Sequence, residues 1–213
     1  MLSCENVACI RGERLLFTQT GFCLPTGSLL VLSGSNGSGK SSLLRILVGL
    51  MSPSKGEVTW QEKPIHQHPD YREFMLYLGH ENAIKPELSV YDNVQYWAAL
   101  QDSDMLTPAA LQFFGLLPIA DMPAGQLSAG WQRRVALARP LATPSLIWLL
   151  DEPTTNLDAE GKRLLEGIIQ TRIDQGGIVV MASHDIQPPA THRLELEDFM
   201  PQRAQEDEVM NAA

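Results

Sequence analysis

The stretch Gly34-Ser35-Asn36-Gly37-Ser38-Gly39-Lys40-Ser41-Ser42 decides how this 213-residue chain is read. It follows the apolar run Leu29-Leu30-Val31-Leu32 and leads into Leu43-Leu44-Arg45-Ile46-Leu47-Val48. A strand, a glycine-rich turn and a helix are expected in that order, the context a phosphate-binding loop requires. Each residue type has a physical reason. The glycines let the backbone bend until its N–H groups face inward and form a nest for phosphate oxygens. A helix beginning near Lys40 adds the positive end of its dipole. Lys40 is placed to reach the β- and γ-phosphates of a nucleotide, and the Ser41 hydroxyl to take one position on Mg²⁺. A plain glycine-rich strand–helix turn is the simpler reading, and Lys40-Ser41 behind a buried strand speaks against it.

Further along, Leu146-Ile147-Trp148-Leu149-Leu150 reads as a strand buried on both faces, hence parallel. It delivers Asp151-Glu152 at its carboxyl end. Asp151 is expected to hold the metal through water, and Glu152 to orient or deprotonate the attacking water. Alone, this pair would be an acidic turn after a core strand; beside a phosphate loop it reads as the other half of a site.

Residues 2–33 alternate short apolar runs with turns at Arg11-Gly12-Glu13 and Pro25-Thr26-Gly27, which predicts a small antiparallel β-layer. Glu57-Val58-Thr59-Trp60 and Met75-Leu76-Tyr77-Leu78 are further strands. The polar stretch between them holds His66 and His68, read as a solvated loop because nothing nearby supplies a third metal ligand. Residues 86–140 have helical spacing over Val90 to Leu100, over Thr107 to Leu117 with Thr107 as cap and Pro108 as first residue, and from the cap Ser128 to Ala138. Ala159 to Ile173 is amphipathic, with Leu164, Leu165, Ile168, Ile169 and Ile173 on one face, and Ile178-Val179-Val180-Met181 is another buried strand. The expectation is an α/β P-loop NTPase core with an antiparallel β-layer and a helical subdomain at about 86–140. Residues 2–201 would form one domain, and 202–213 a polar tail.

Bulk properties exclude some partners. A formal net charge of −9 argues against nucleic acid, which calls for a basic face. No apolar run approaches the roughly 20 residues of a membrane span. The beginning, Met1-Leu2-Ser3-Cys4-Glu5, lacks a basic-then-apolar signal segment, so a cytoplasmic place is expected. Cys4, Cys9 and Cys23 form no CxxC pair and read as reduced, mostly buried thiols.

Leu127-Ser128-Ala129-Gly130-Trp131 resembles the Leu-Ser-Gly-Gly-Gln signature of ATP-binding cassette (ABC) ATPases. Asp151-Glu152-Pro153-Thr154, Asn156-Leu157-Asp158 and Ser183-His184-Asp185 follow in that family's order, and the resemblance covers residues 2–196. It implies ATP hydrolysis with Mg²⁺ and a homodimer with ATP sandwiched between two copies. The P-loop, Asp151, Glu152 and His184 would come from one copy and Ser128 and Gly130 from the other. Physically, a helix N-terminus capped by Ser128, with Gly130 allowing close approach, is a second anion site. Asp158 resembles the aspartate that crosses the dimer interface, and His184 the switch histidine that hydrogen-bonds the γ-phosphate.

Local wording is nearer still to the ATP-binding subunits of haem exporters used in cytochrome c maturation. Cys9 to Phe17, Leu78-Gly79-His80 with Ile84-Lys85, Leu127 to Gly130, Arg133 to Arg139 and Gly176 to Val179 carry that likeness. It implies membrane-spanning haem-exporter subunits of the CcmB/CcmC type as partners, at the cytoplasmic face of the inner membrane. Four departures stand out. Trp131 replaces the signature glutamine. Glu81 falls where a glutamine that contacts metal-bound water is usual, and is assigned to the metal set with Ser41 and Asp151. Arg11 lies near the place of the missing adenine-stacking aromatic. Pro140 falls where the family's helix continues, so that helix is expected to end or kink near Arg139. The alternatives are a cassette exporter for another substrate, a soluble cassette protein acting on DNA or ribosomes, and a P-loop small-molecule kinase. The last two are disfavoured by the acidic charge, the lack of a coiled-coil insertion or second cassette, and the Ser128-Ala129-Gly130 motif.

Overall fold

The computed structural model describes residues 1–183 and 190–201. Strands β1 (Leu2–Arg11) and β2 (Arg14–Leu24) form a hairpin turning at Gly12-Glu13, and β3 (Ser28–Ser33) follows the Pro25-Thr26-Gly27 turn. The glycine-rich loop joins β3 to helix α1 (Lys40–Leu47). Then come β4 (Lys55–Trp60), the short β5 (Lys63–Pro64) and β6 (Met75–Leu78). Helices α2 (Val90–Ala99), α3 (Thr107–Phe113) and α4 (Ala129–Ala142) lead to β7 (Ile147–Asp151). The described chain continues through α5 (Ala159–Asp174), β8 (Ile178–Ala182) and β9 (His192–Glu195).

The strands make two sheets: an antiparallel one in the order β2-β1-β4-β5 and a parallel one in the order β6-β7-β8-β3-β9. Side chains alternate across a strand, so each inner strand of the parallel sheet feeds two cores. Leu30, Leu32, Ile147, Leu149, Ile178 and Val180 pack with α1 and the antiparallel layer. Leu29, Val31, Trp148, Leu150, Val179 and Met181 pack with α2, α3, α4 and α5. Covered on both faces, these strands are apolar throughout, which is why they read as unbroken hydrophobic runs. Only β8 separates β3 from β7, so the phosphate loop and Asp151-Glu152 open side by side beyond the carboxyl ends of the strands, where open α/β sheets hold ligands. This is the α/β P-loop core with an antiparallel layer that the motifs predicted.

Three local expectations need correction. Helix α3 stops at Phe113, short of Leu117, because Gly115 takes φ +69° and closes a Schellman end. The Leu116 N–H donates to the Leu111 carbonyl at 2.8 Å and the Gly115 N–H to that of Gln112 at 3.1 Å. Thr107 is not the cap. A 3₁₀ turn over Asp104–Leu106 runs straight into α3 with Leu106 in the cap position, and Thr107 is fully buried. Finally, of the end or kink expected near Arg139, the end does not occur: α4 runs through Pro140 to Ala142. Proline removes one donor here, while the Thr143 hydroxyl donates to the Arg139 carbonyl at 3.1 Å and buried Arg139, Pro140 and Ala142 are held by packing.

The antiparallel layer contains one tight spot. Glu5 pairs with Glu57 and Ala8 with Lys55, so Asn6 and Val7 together oppose Gly56, a β-bulge. Gly56 has φ +78°, and a Cβ there would lie 2.3 Å from the Glu5 carbonyl oxygen. Gly56→Ala is therefore expected to destabilise the protein by about 2 kcal/mol or more, since it adds left-handed strain to a backbone clash. A urea titration with an unchanged midpoint would contradict this.

Candidate nucleotide-binding site

The glycine-rich loop is shaped by its sequence. Gly34, Gly37 and Gly39 take φ values of +134°, +86° and +106°. A Cβ on Gly39 would meet the Phe17 ring at 2.8 Å, so β2 packs directly beneath the turn. Helix α1 starts at Lys40 with no side-chain cap and no acidic residue in its first turn. Its first N–H groups are thus offered to a ligand rather than to the chain's own side chains. Lys40 is only 7% exposed, and its Nζ donates to the carbonyls of Gly34 at 2.7 Å and Ser35 at 3.2 Å. The lysine therefore lies along the loop, its charge held where phosphate would arrive.

Asp151, 2% exposed, ends β7. Glu152 follows at φ +47°, a left-handed backbone that glutamate adopts at a cost of about 1–3 kcal/mol. Its N–H donates to the Ala182 carbonyl at 2.9 Å, which ties the acidic loop to β8. The two halves meet in a cleft of about 610 Å³, lined by Asn36, Gly37, Gly39, Lys40, Ser41, Ser42, Asp151 and Glu152. A hydroxyl and a carboxylate lining one cleft with a phosphate loop are the hard oxygen donors that Mg²⁺ takes alongside water and phosphate. Ser41 and Asp151 therefore fit that ion.

The other predicted residues lie elsewhere. Gly34, Ser35 and Ser38 shape the loop without lining the cleft. Glu81 is exposed and outside the cleft wall, where its neighbour His80 stands instead. Ser128 caps α4, accepting from the Trp131 N–H at 3.5 Å, and neither it nor Gly130 reaches the cleft of its own chain. Gly130 is also required within the chain, since a Cβ there would meet the Asn156 carbonyl oxygen at 2.9 Å. Asp158 caps α5, accepting from the Gly161 N–H at 2.7 Å, and pairs with Arg134 at 2.9 Å. The Gly161 N–H first, then Arg134, hold the Asp158 carboxyl below its ordinary pKa. Arg134 also pairs with Glu160 and lies over the Trp131 ring, 4.9 Å from its centroid. His184 lies outside the described residues. Arg11 does line the cleft. His66 and His68 line a separate cavity of about 560 Å³ with Met51, Tyr71 and Arg72, away from the phosphate loop.

Sequence reasoning missed four contributors. Leu16, Thr155 and His80 line the cleft. Glu197, from a 3₁₀ turn after β9, accepts the Ser35 N–H at 2.6 Å, and that contact holds its carboxyl below the usual range. No motif announces these residues. The Gly79-His80 wording before Glu81 was the only available signal.

Residues 17–155 match the ABC transporter family. The chain is 45% identical over 204 residues to the cytochrome c biogenesis ATP-binding export protein CcmA of Paramagnetospirillum magneticum, covering 92% of this chain and 94% of that one. It is 42% identical to the protein of the same name from Histophilus somni, covering 88% of each. Among solved structures, the fold matches the ATP-binding cassette MJ0796, solved as a dimer in a post-hydrolysis state with ADP and Pi. The TM-score is 0.81 at 24% identity, over 95% of this chain and 97% of that one. The glycine-rich loop, the acidic loop and the helix capped by Ser128 all lie within the matched residues, and the chain belongs to the ABC transporter ATP-binding proteins, among the CcmA group.

Proposed function

We propose that the chain couples ATP hydrolysis to the haem export or handover step of cytochrome c biogenesis, as one cassette over residues 2–201. The observation that carries the chemistry is the convergence of Lys40, Ser41, Asp151 and Glu152 on one cleft. The cytochrome c assignment rests on the similarity to CcmA proteins. The N–H groups of residues 37–42 and the Lys40 ammonium bind the β- and γ-phosphates. Ser41 and Asp151 would hold Mg²⁺, which would supply charge neutralisation at the phosphates; Glu81, exposed and outside the cleft wall, is not part of this set. Glu152 accepts a proton from the attacking water as its oxygen bonds to the γ-phosphorus and the bond from that phosphorus to the β-phosphate oxygen breaks, releasing ADP and inorganic phosphate. Arg11 lines the same cleft, and its guanidinium plane is the group offered for stacking on the base.

Two copies close head to tail around two ATP molecules. Ser128 and Gly130 of one copy then face the γ-phosphate held by the other, Asp158 lies at the contact, and His184 reaches the same phosphate. The membrane partners are CcmB/CcmC-type subunits, and the dimer sits against them on the cytoplasmic face of the inner membrane. The test is affinity purification of the tagged chain from cells that also make those subunits, with a drug-exporter membrane subunit as the control. Retention by the haem-exporter subunits and not by the control is expected; the reverse would move the protein to another exporter.

A further inference from the structure

Arg133 sits in α4, is 1% exposed, and spends its guanidinium on two loops at once. Nε donates to the Pro153 carbonyl at 3.1 Å. Nη2 donates to the carbonyls of Asp151 at 3.1 Å and Glu152 at 2.8 Å. Nη1 donates to Asn82 Oδ1 at 2.9 Å and to the Gly79 carbonyl at 3.4 Å. The acidic loop and the loop after β6, which carries His80 into the cleft, are thus clamped by one side chain. A lysine could not do this, because its three donors radiate from a single point while the guanidinium is a planar fork.

The clamp acts where the backbone is under strain. Glu152 at φ +47° keeps that conformation only if its surroundings over-determine it. Its N–H is fixed by Ala182 and its carbonyl by Arg133. Burying a guanidinium is unfavourable, and burial pushes Arg133 down to about 10, against the opposing pull of Asp151 and Glu152. It therefore stays charged at neutral pH, and its backbone acceptors do not titrate. A purely structural role would need only satisfied carbonyls. Here two of the five acceptors are the backbone carbonyls of the two acidic residues themselves.

We infer that Arg133 is a positioning residue for ATP hydrolysis: by holding the Glu152 backbone against α4 and the 79–82 loop, it sets where the Glu152 carboxylate meets the attacking water. The inference rests on the role proposed above for Glu152. It ties the rate of the chemical step to the signature helix, since Arg133 lies five residues beyond the cap Ser128 on α4.

The experiment uses the full chain carrying Arg133→Lys or Arg133→Met, each alone and combined with Glu152→Gln. Hydrolysis, KM for ATP, binding of a fluorescent ATP analogue and thermal melting are measured. Arg133→Lys is expected to fold and to bind the analogue within about twofold of the parent, while kcat falls by about 10²-fold with little change in KM, as for a reacting group displaced by about 1 Å. In the Glu152→Gln background the further loss should be under about threefold, because the group being positioned is already gone. A folded Arg133 variant with parental kcat overturns the inference. So does a loss that multiplies fully in the double variants, and so does failure of both single variants to fold, which would make Arg133 a structural requirement. Glu152→Gln alone separates the two claims. If it turns over at the parental rate, the role of Glu152 fails; if it is inactive while Arg133 variants are active, only the positioning fails.

Discussion

Glu152→Gln is expected to bind ATP like the parent and to hydrolyse it about 10²–10⁴-fold more slowly, the range a general base supplies. The substitution is nearly isosteric, and every backbone bond that fixes position 152 survives it. The N–H still donates to Ala182 and the carbonyl still accepts from Arg133 and from the Thr155 N–H at 3.2 Å. What disappears is the carboxylate's capacity to take a proton, because an amide oxygen is a far weaker base. With the chemical step blocked and binding intact, ATP-bound dimers should accumulate. Phosphate release under single-turnover conditions measures the first effect, and size-exclusion chromatography with ATP the second. Parental phosphate release would remove Glu152 from the reaction.

Lys40→Ala is expected to act earlier, on binding and on rate together. The ammonium makes charge-assisted contacts, each worth about 1.5–3 kcal/mol, so losing one phosphate contact corresponds to roughly a 10–100-fold drop in ATP affinity. A second loss follows from the loop itself. Lys40 spans the turn, donating to the Gly34 and Ser35 carbonyls, and without it the nest of N–H groups is less well ordered before nucleotide arrives. The fold should survive, because the sheet and α1 are held by Leu43, Leu44, Ile46 and Leu47, all fully buried, rather than by the lysine. Isothermal titration with ATP, next to a far-ultraviolet circular dichroism spectrum of the variant, checks both statements. Unchanged affinity would contradict the assigned role of the lysine.

The phosphate loop was legible because its chemistry is local. A turn that aims backbone N–H groups inward needs glycines, and a strand before it and a helix after it are written in the neighbouring apolar residues. The acidic pair was legible for the same reason, as the end of a strand apolar on both faces. One of the errors had a local cause. The Schellman end of α3 was written in Phe114-Gly115-Leu116, but the helical spacing beyond it masked the glycine. The passage of α4 through Pro140 went the other way: local preference said stop, and burial of Arg139, Pro140 and Ala142 overrode it.

The sequence by itself determined the parts of this protein that depend on backbone conformation and side-chain type within about ten residues: the phosphate loop, Asp151-Glu152, the capped signature helix and the strands between them. The tertiary structure alone decided how those parts meet. Strand order, with β8 between β3 and β7, brings residues 37–42 and 151–152 to one cleft, and no local pattern encodes that adjacency. The same holds for His80 rather than Glu81 at the cleft wall, for Glu197 on the Ser35 N–H, and for Arg133 spread over five acceptors on two loops. The physical reason is that these contacts join residues between 18 and 162 positions apart. A charged side chain in sequence looks the same whether it ends in water or against a carbonyl, and only the packing of the sheets and helices around it settles which.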